Sequence, residues 1–183
     1  MSERKPQSPK IENIVASGSI ADSIDLEMLT SRLKNYDLNK KRFPGAVLRL
    51  LDPKIAVLIF SSGKVVITGA KSPKDLARGQ DILIEKMKDA GVTCYDTPRV
   101  AVTNMVCSYD IGKYINLNKV VLTLNMENIE YEPEQFPGLV YRIPDPKIVA
   151  LLFSSGKIIL TGGKTMGEIE RGVTFLELKL GNL

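Results

Sequence analysis

The sequence has no histidine and only two cysteines, Cys94 and Cys107, among its 183 residues. The cysteines have no zinc-like spacing, so no Cys/His metal set can be assembled, and no metal or other cofactor is expected. Inert free thiols in a reducing compartment are the preferred reading, with a disulfide between the two left open. No apolar run is long enough to cross a bilayer, so no membrane partner is expected. The first residues, MSERKPQSPK, put no apolar core behind their basic residues; residues 1–10 read as a flexible lead-in, not a secretory signal. Carboxylates recur as Asp52 and Asp145, but both sit in DPK turns, and no other duplicated acidic pair suggests acid–base catalysis.

What is present is an ordinary globular composition, 44% hydrophobic and 25% charged, with a net charge of +4. That charge is too small to indicate nucleic acid by itself, but its distribution is uneven. Residues 1–93 carry 16 Lys and Arg against 11 Asp and Glu, whereas residues 94–183 carry 9 against 10. Two halves of opposite balance are expected to face different partners.

The halves are copies. FPGAVLRLLDPKIAVLIFSSGKVVITGA, from Phe43, returns as FPGLVYRIPDPKIVALLFSSGKIILTGG, from Phe136, with 17 of 28 positions identical. Upstream, IENIVAS around Asn13 matches VTNMVCS around Asn104, at an offset of 91 instead of 93. A unit of about 90 residues is too long for one solenoid turn. The reading is two fused α/β subdomains related by a pseudo-twofold axis, residues 11–93 and 94–183.

Within a unit the pattern predicts a strand, a short helix with Leu26, Leu29 and Leu33 on one face, three strands and a last helix. Phe43-Pro44-Gly45 reads as a loop tip. The links DP and SSG are short enough to favour antiparallel hairpins. Ser72, Pro73 and Asp75 form a helix start, and Gly91 a stop. Thr165 and Glu168 repeat the start in the second copy, where Gly167 and Gly172 predict a weaker helix.

Alternation gives the strands two largely apolar faces. One holds Ile55, Val57, Ile59, Val65 and Ile67; the other holds Ala56, Leu58, Phe60, Val66 and Thr68. One helix per unit covers one face only. The remaining face is either a second core, as in a sandwich, barrel or dimer, or an exposed binding surface. Arg49, Lys54 and Lys64 recur as Arg142, Lys147 and Lys157 along its rim, which favours a binding surface with an anionic partner. An apolar, cation-edged sheet carrying Asn13 and Asn104 fits the minor groove of double-stranded DNA, whose degenerate acceptor pattern suits A·T recognition.

Taken together, ENIV and TNMV, both FPG tips, both DPK turns and LIFSSGK/LLFSSGK followed by ITGAK/LTGGK resemble the TATA-box binding protein family, in its archaeal form, over residues 11–180. The resemblance implies an α+β, two-repeat saddle: a curved antiparallel sheet with helices on its convex side and DNA beneath. It implies a non-enzymatic general transcription initiation factor that binds an A·T-rich TATA box; this family is itself a standing example of minor-groove wedging. Phe43, Phe60, Phe136 and Phe153 match the family's intercalating wedges. Asn13, Asn104, Thr68 and Thr161 match its central polar contacts, and Val15, Leu58, Val66, Val106, Leu151 and Ile159 its apolar contacts with sugars and bases. Arg49, Lys64, Arg142 and Lys157 match phosphate contacts.

The resemblance also supplies partners. The loop before the second FPG, YEPEQ, is acidic where the first, DLNKKR, is basic. Glu132 and Glu134 match acidic contacts to transcription factor B, through which RNA polymerase is recruited indirectly. The basic content of the helix beginning at Pro73 is below that of eukaryotic relatives, so a second general factor there is in doubt. A cytoplasmic, nucleoid-associated location is implied. Self-association of the DNA-free protein through its apolar face stays open, as do two competing functions: a cleft enzyme, and a related saddle that binds RNA–DNA hybrids. The lack of histidine, of a metal set and of a duplicated carboxylate pair outside the DPK turns opposes the first, and the second would need neither the duplicated asparagines nor both phenylalanine pairs.

Overall fold

The computed structural model describes residues 4–183; the expected lead-in therefore lies partly outside the described residues. The described residues divide into two compact units, residues 13–103 and residues 104–183 together with residues 4–12. This division falls later than the repeat boundary expected after residue 93.

The first repeat runs β1 (Lys10–Ser19), α1 (Leu26–Thr30), β2 (Tyr36–Leu38), β3 (Ala46–Leu51), β4 (Lys54–Ile59), β5 (Lys64–Ala70) and α2 (Pro73–Asp89). The second runs β6 (Arg99–Asp110), α3 (Leu117–Thr123), a 3-10 turn at Met126–Asn128, β7 (Ile129–Glu130), β8 (Leu139–Ile143), β9 (Ile148–Leu152), β10 (Lys157–Gly163) and α4 (Met166–Leu180). Neighbouring strands follow the order β2-β3-β4-β5-β1 in one repeat and β6-β10-β9-β8-β7 in the other. The pairings within each repeat are antiparallel, as the short links require.

Local chemistry accounts for the helix limits. The Ser72 side chain accepts a hydrogen bond from the Asp75 amide, Pro73 occupies the first turn, and Gly91 at φ +95° follows the last turn. Thr165 caps α4 through the Glu168 amide, and the Glu168 carboxylate in turn accepts from the Lys164 amide. Helix α1 is shorter than its leucine spacing suggests: it ends at Thr30, and Leu33 lies beyond it. The edge strands β2 and β7 have too few residues to show periodicity, so no pattern in the sequence marks them.

One glycine reads differently in three dimensions. Gly172 does not interrupt α4, which continues for 15 residues. A Cβ at Gly172 would lie 3.1 Å from Ile148 Cδ1, and one at its counterpart Gly79 would lie 2.5 Å from Ile55 Cδ1. Each helix therefore uses a glycine to approach its own sheet closely. The gain in packing outweighs the roughly 1 kcal/mol propensity penalty of a helical glycine.

These contacts identify the covered face in each unit. Ile55, Val57, Ile59, Val65 and Ile67 are buried beneath α2, and Ile148, Ala150, Leu152, Ile158 and Leu160 occupy the same places beneath α4. The opposite residues, Ala56, Leu58, Val66 and Thr68, with Val149, Leu151, Ile159 and Thr161, are only partly buried. The core is therefore one-sided in each unit, not a sandwich. Both cysteines are free; Cys107 lies in the core, where burial pushes its thiol pKa up.

Candidate nucleic-acid interface

The half-covered face of each unit gathers most of the residues singled out in the sequence. In the first repeat β1 contributes Asn13 and Val15, β4 contributes Leu58, and β5 contributes Val66 and Thr68, all partly buried. Leu58 pairs with Val66 and Ala56 with Thr68, which fixes neighbouring side chains on one surface. In the second repeat Leu151 pairs with Ile159, and Thr161 pairs with both Val149 and Val106. Asn104 lies two residues before Val106 on the same strand. Arg49, Lys64, Arg142 and Lys157 are exposed at the rims.

The two asparagines are held in place by the same polar set. Asn13 Nδ2 donates to Thr68 Oγ1 at 3.1 Å, and its Oδ1 accepts from the Gly69 amide at 2.7 Å. Asn104 Nδ2 lies 3.2 Å from Thr161 Oγ1, and its Oδ1 accepts from the Gly162 amide at 2.7 Å. Gly69 and Gly162 have φ of +104° and +103°, a region that L side chains rarely adopt. That turn of the backbone releases the glycine N–H from the ladder and aims it at the asparagine; the β6–β10 register shifts between Thr161 and Gly163. Each amide keeps one N–H for an external partner. Sequence reasoning chose Asn and Thr but missed the glycine. The available signal was TG following each SSGK strand.

The phenylalanines form two pairs. Phe43 and Phe60 lie edge to face with centroids 5.5 Å apart, and Phe136 and Phe153 do the same at 5.9 Å. Each pair closes over the glycine of its own FPG tip. A Cβ at Gly45 would sit 2.9 Å from Phe43 Cε1 and 3.2 Å from Phe60 Cδ1; one at Gly138 would sit 2.7 Å from Phe136 Cε1 and 3.0 Å from Phe153 Cε1. No third side chain fits at either tip, and Phe43, Phe60 and Phe153 stay partly exposed instead of sinking into the core. Phe136 is 40% exposed.

The rims differ between repeats. Arg142 pairs with Glu130 at 3.5 Å, whereas Arg49 has no such ion pair among the described residues. An exposed pair of this kind contributes at most about 1 kcal/mol, so Arg142 can change partners readily. Glu132 and Glu134 are exposed, and the Glu132 carbonyl accepts from the Gln135 and Phe136 amides, which shapes the tip carrying the second wedge pair. The described residues include no group of three or more His, Cys, Asp and Glu able to hold a metal, and no helix long and apolar enough to cross a membrane.

Comparison with known proteins agrees with this geometry. Residues 8–90 and 99–182 match the family model described as transcription factor TFIID, or TATA-binding protein. The chain is 47% identical over 174 residues to TATA-box-binding protein 1 of Methanosarcina acetivorans, covering 95% of each chain. It is 50% identical over 163 residues to the TATA-box-binding protein of Picrophilus torridus, covering 89% of each. Among solved structures, Methanococcus jannaschii TBP superimposes with a TM-score of 0.88 at 42% identity, over 97% of this chain and all of that one. A duplicated sheet, duplicated Asn–Thr–Gly sets and a two-repeat family match have one reading: the chain belongs to the TATA-binding protein family, a family of transcription factors and not of enzymes, and has its two-repeat α+β fold.

Proposed function

We propose that the protein is a general transcription initiation factor that binds the minor groove of an A·T-rich TATA box and bends it. The observation that carries this reading is the duplicated surface just described: an apolar sheet face with a pre-oriented asparagine on its first strand and an edge-to-face pair of aromatic rings at its loop end. Each repeat offers one half of the contact.

The chemistry follows from the minor groove. Its walls are sugars, which suit Val15, Leu58 and Val66 in one repeat and Val106, Leu151 and Ile159 in the other. Its floor shows acceptors at A·T pairs, to which the free N–H of Asn13 or Asn104 can donate, and Thr68 and Thr161 hold those amides in register. The guanine amino group would meet the apolar face, so G·C pairs are rejected sterically. Phe43 with Phe60, and Phe136 with Phe153, insert at the ends of the element and unstack it. Much of the specificity is then the ease of deforming the sequence. Arg49, Lys64, Arg142 and Lys157 neutralise phosphates, which makes affinity fall with salt.

Glu132 and Glu134 dock transcription factor B, which brings RNA polymerase. Because the equivalent loop of the first repeat is basic, the partner binds one side only and gives the complex a direction; complementary charge of this kind selects orientation more than it adds affinity.

Selection of binding sites from random duplexes, with and without transcription factor B, tests the proposal. An A·T-rich core should emerge, with one orientation favoured when the second protein is present. Equal binding to A·T-rich and G·C-rich duplexes at low and moderate salt would refute it.

A further inference from the structure

The segment before β1 is built into the second repeat's unit, and it borders the candidate interface. The Arg4 amide donates to the Gly112 carbonyl at 2.6 Å, and the Gln7 amide to the Asp110 carbonyl at 3.2 Å. The Arg4 guanidinium donates to the Ser155 carbonyl at 2.6 Å, lies 3.5 Å from Asp110 Oδ1 and sits 5.9 Å from the Tyr114 ring centroid. Gly112, at φ +85°, leaves the space: a Cβ there would lie 2.2 Å from the Arg4 carbonyl oxygen. One side chain thus clamps the arm to the end of β6 and to the SSGK turn of β10.

This clamp is not part of the duplication. At the offset of 91, Asp110, Gly112 and Tyr114 correspond to Ser19, Ala21 and Ser23, which offer no carboxylate, no glycine and no ring. In the first repeat's unit the linker takes the matching place, with the Tyr95 amide donating to the Ile20 carbonyl and the Tyr95 hydroxyl to Asp22. The arm carries cations instead. Residues 104–183 alone hold 8 Lys and Arg against 9 Asp and Glu; residues up to Glu12 add Arg4, Lys5 and Lys10 against Glu3 and Glu12, which brings the balance to zero.

Between the arm and β10 runs an open groove of about 670 Å³. Phe153 and Ile159 line it as apolar surface, Lys157 lies on one side, and Gln7, Ser8 and Lys10 lie on the arm's side. Lys10 is 73% exposed and only 3.9 Å from its nearest carboxylate, Glu12, which also accepts from the Ser108 hydroxyl at 2.8 Å.

We infer that this arm is a DNA-backbone contact belonging to the second-repeat half alone, with Lys10 opposite Lys157 across a sugar-phosphate strand. The inference rests on the DNA reading above. A mainly apolar groove with a cation on each side, whose lining carboxylate Asp110 is paired with Arg4, fits a strand of alternating sugar and phosphate, and it adjoins the wedge Phe153. The arm therefore adds polarity to DNA binding that does not depend on the acidic loop.

Lys10→Gln and Arg4→Ala in the full chain test this, alongside the wild type, on an A·T-rich duplex. Loss of one phosphate contact should lower the slope of log affinity against log salt by about 0.9, which extrapolates to about eightfold weaker binding at roughly 0.1 M salt. A scan of single methylphosphonate substitutions should find one phosphate outside one end of the element whose neutralisation weakens the wild type but not Lys10→Gln. Arg4→Ala should weaken binding at that same phosphate while the protein stays folded by circular dichroism. An unchanged slope with no such phosphate overturns the inference. Tighter binding by Arg4→Ala also overturns it, because the arm would then cover the face instead of serving it. If the wild type itself shows no preference for A·T-rich duplex, the DNA reading has failed, not the assignment of the arm.

Discussion

Replacing Asn104 by aspartate separates the asparagine's role in the fold from its role toward DNA. Inside the protein the carboxylate can do all that the amide does. Its oxygen still accepts from the Gly162 amide, 2.7 Å from the present Oδ1. The Thr161 hydroxyl, 3.2 to 3.4 Å from the amide atoms, reverses and donates to it. Because Gly162 is exposed and the asparagine only partly buried, the added charge stays solvated, and stability should change by no more than about 0.5 kcal/mol. Toward the minor groove the change is opposite in sign. The free N–H that would donate to adenine N3 or thymine O2 becomes an anionic oxygen facing acceptors. Losing a base contact is worth about 1–3 kcal/mol, and burying an unpaired charge at an interface costs about 2–5 kcal/mol. A loss of at least about 2 kcal/mol is expected, or roughly 30-fold in affinity. Fluorescence anisotropy on a labelled TATA duplex measures it, and a thermal melt confirms the fold. If Asn104→Asp melts normally and binds within about threefold of the wild type, the base-edge role is refuted. Asn104→Ala is the weaker test, because it also orphans the Gly162 N–H.

Other perturbations address the remaining parts. Phe153→Ala removes one ring of an edge-to-face pair and should lower both affinity and the bend seen by fluorescence transfer between duplex ends, without unfolding the protein. Gly138→Ala forces a methyl between Phe136 and Phe153; overpacking of about 1–3 kcal/mol is expected in a thermal melt, together with a reduced bend. Reversing the charge of Glu132 and Glu134 should leave DNA affinity intact while abolishing capture of transcription factor B in a mobility-shift assay. Burial, with Asp25 nearby, pushes the Tyr36 hydroxyl pKa up to about 12. Its folded value lies above the unfolded value of about 10, so its contribution to stability is present below about pH 10 and lost as pH rises through about 12. Tyr36→Phe should flatten that part of the denaturation profile.

The fold was legible wherever local chemistry decides the outcome. Ser72, Pro73 and Gly91 fix α2 through capping and backbone preference, which need no distant partner. Alternation set which residues share a face, because side chains reverse direction at each strand residue. Duplication showed that the surface comes in matching halves, and the family resemblance supplied roles for Asn13, Asn104 and the four phenylalanines. Three features needed the tertiary structure, because each joins residues far apart in the chain. Gly172 has the local signature of a helix breaker, and only the approach of Ile148 explains it. Gly69 and Gly162 have the signature of strand ends, yet their amides turn toward Asn13 and Asn104, 56 and 58 residues away. The arm has the composition of a free lead-in, yet Arg4 closes on Ser155 across 151 residues of chain. Sequence pattern reports what each residue prefers; only folding decides which preferences are overruled by a neighbour that the chain brings back from elsewhere.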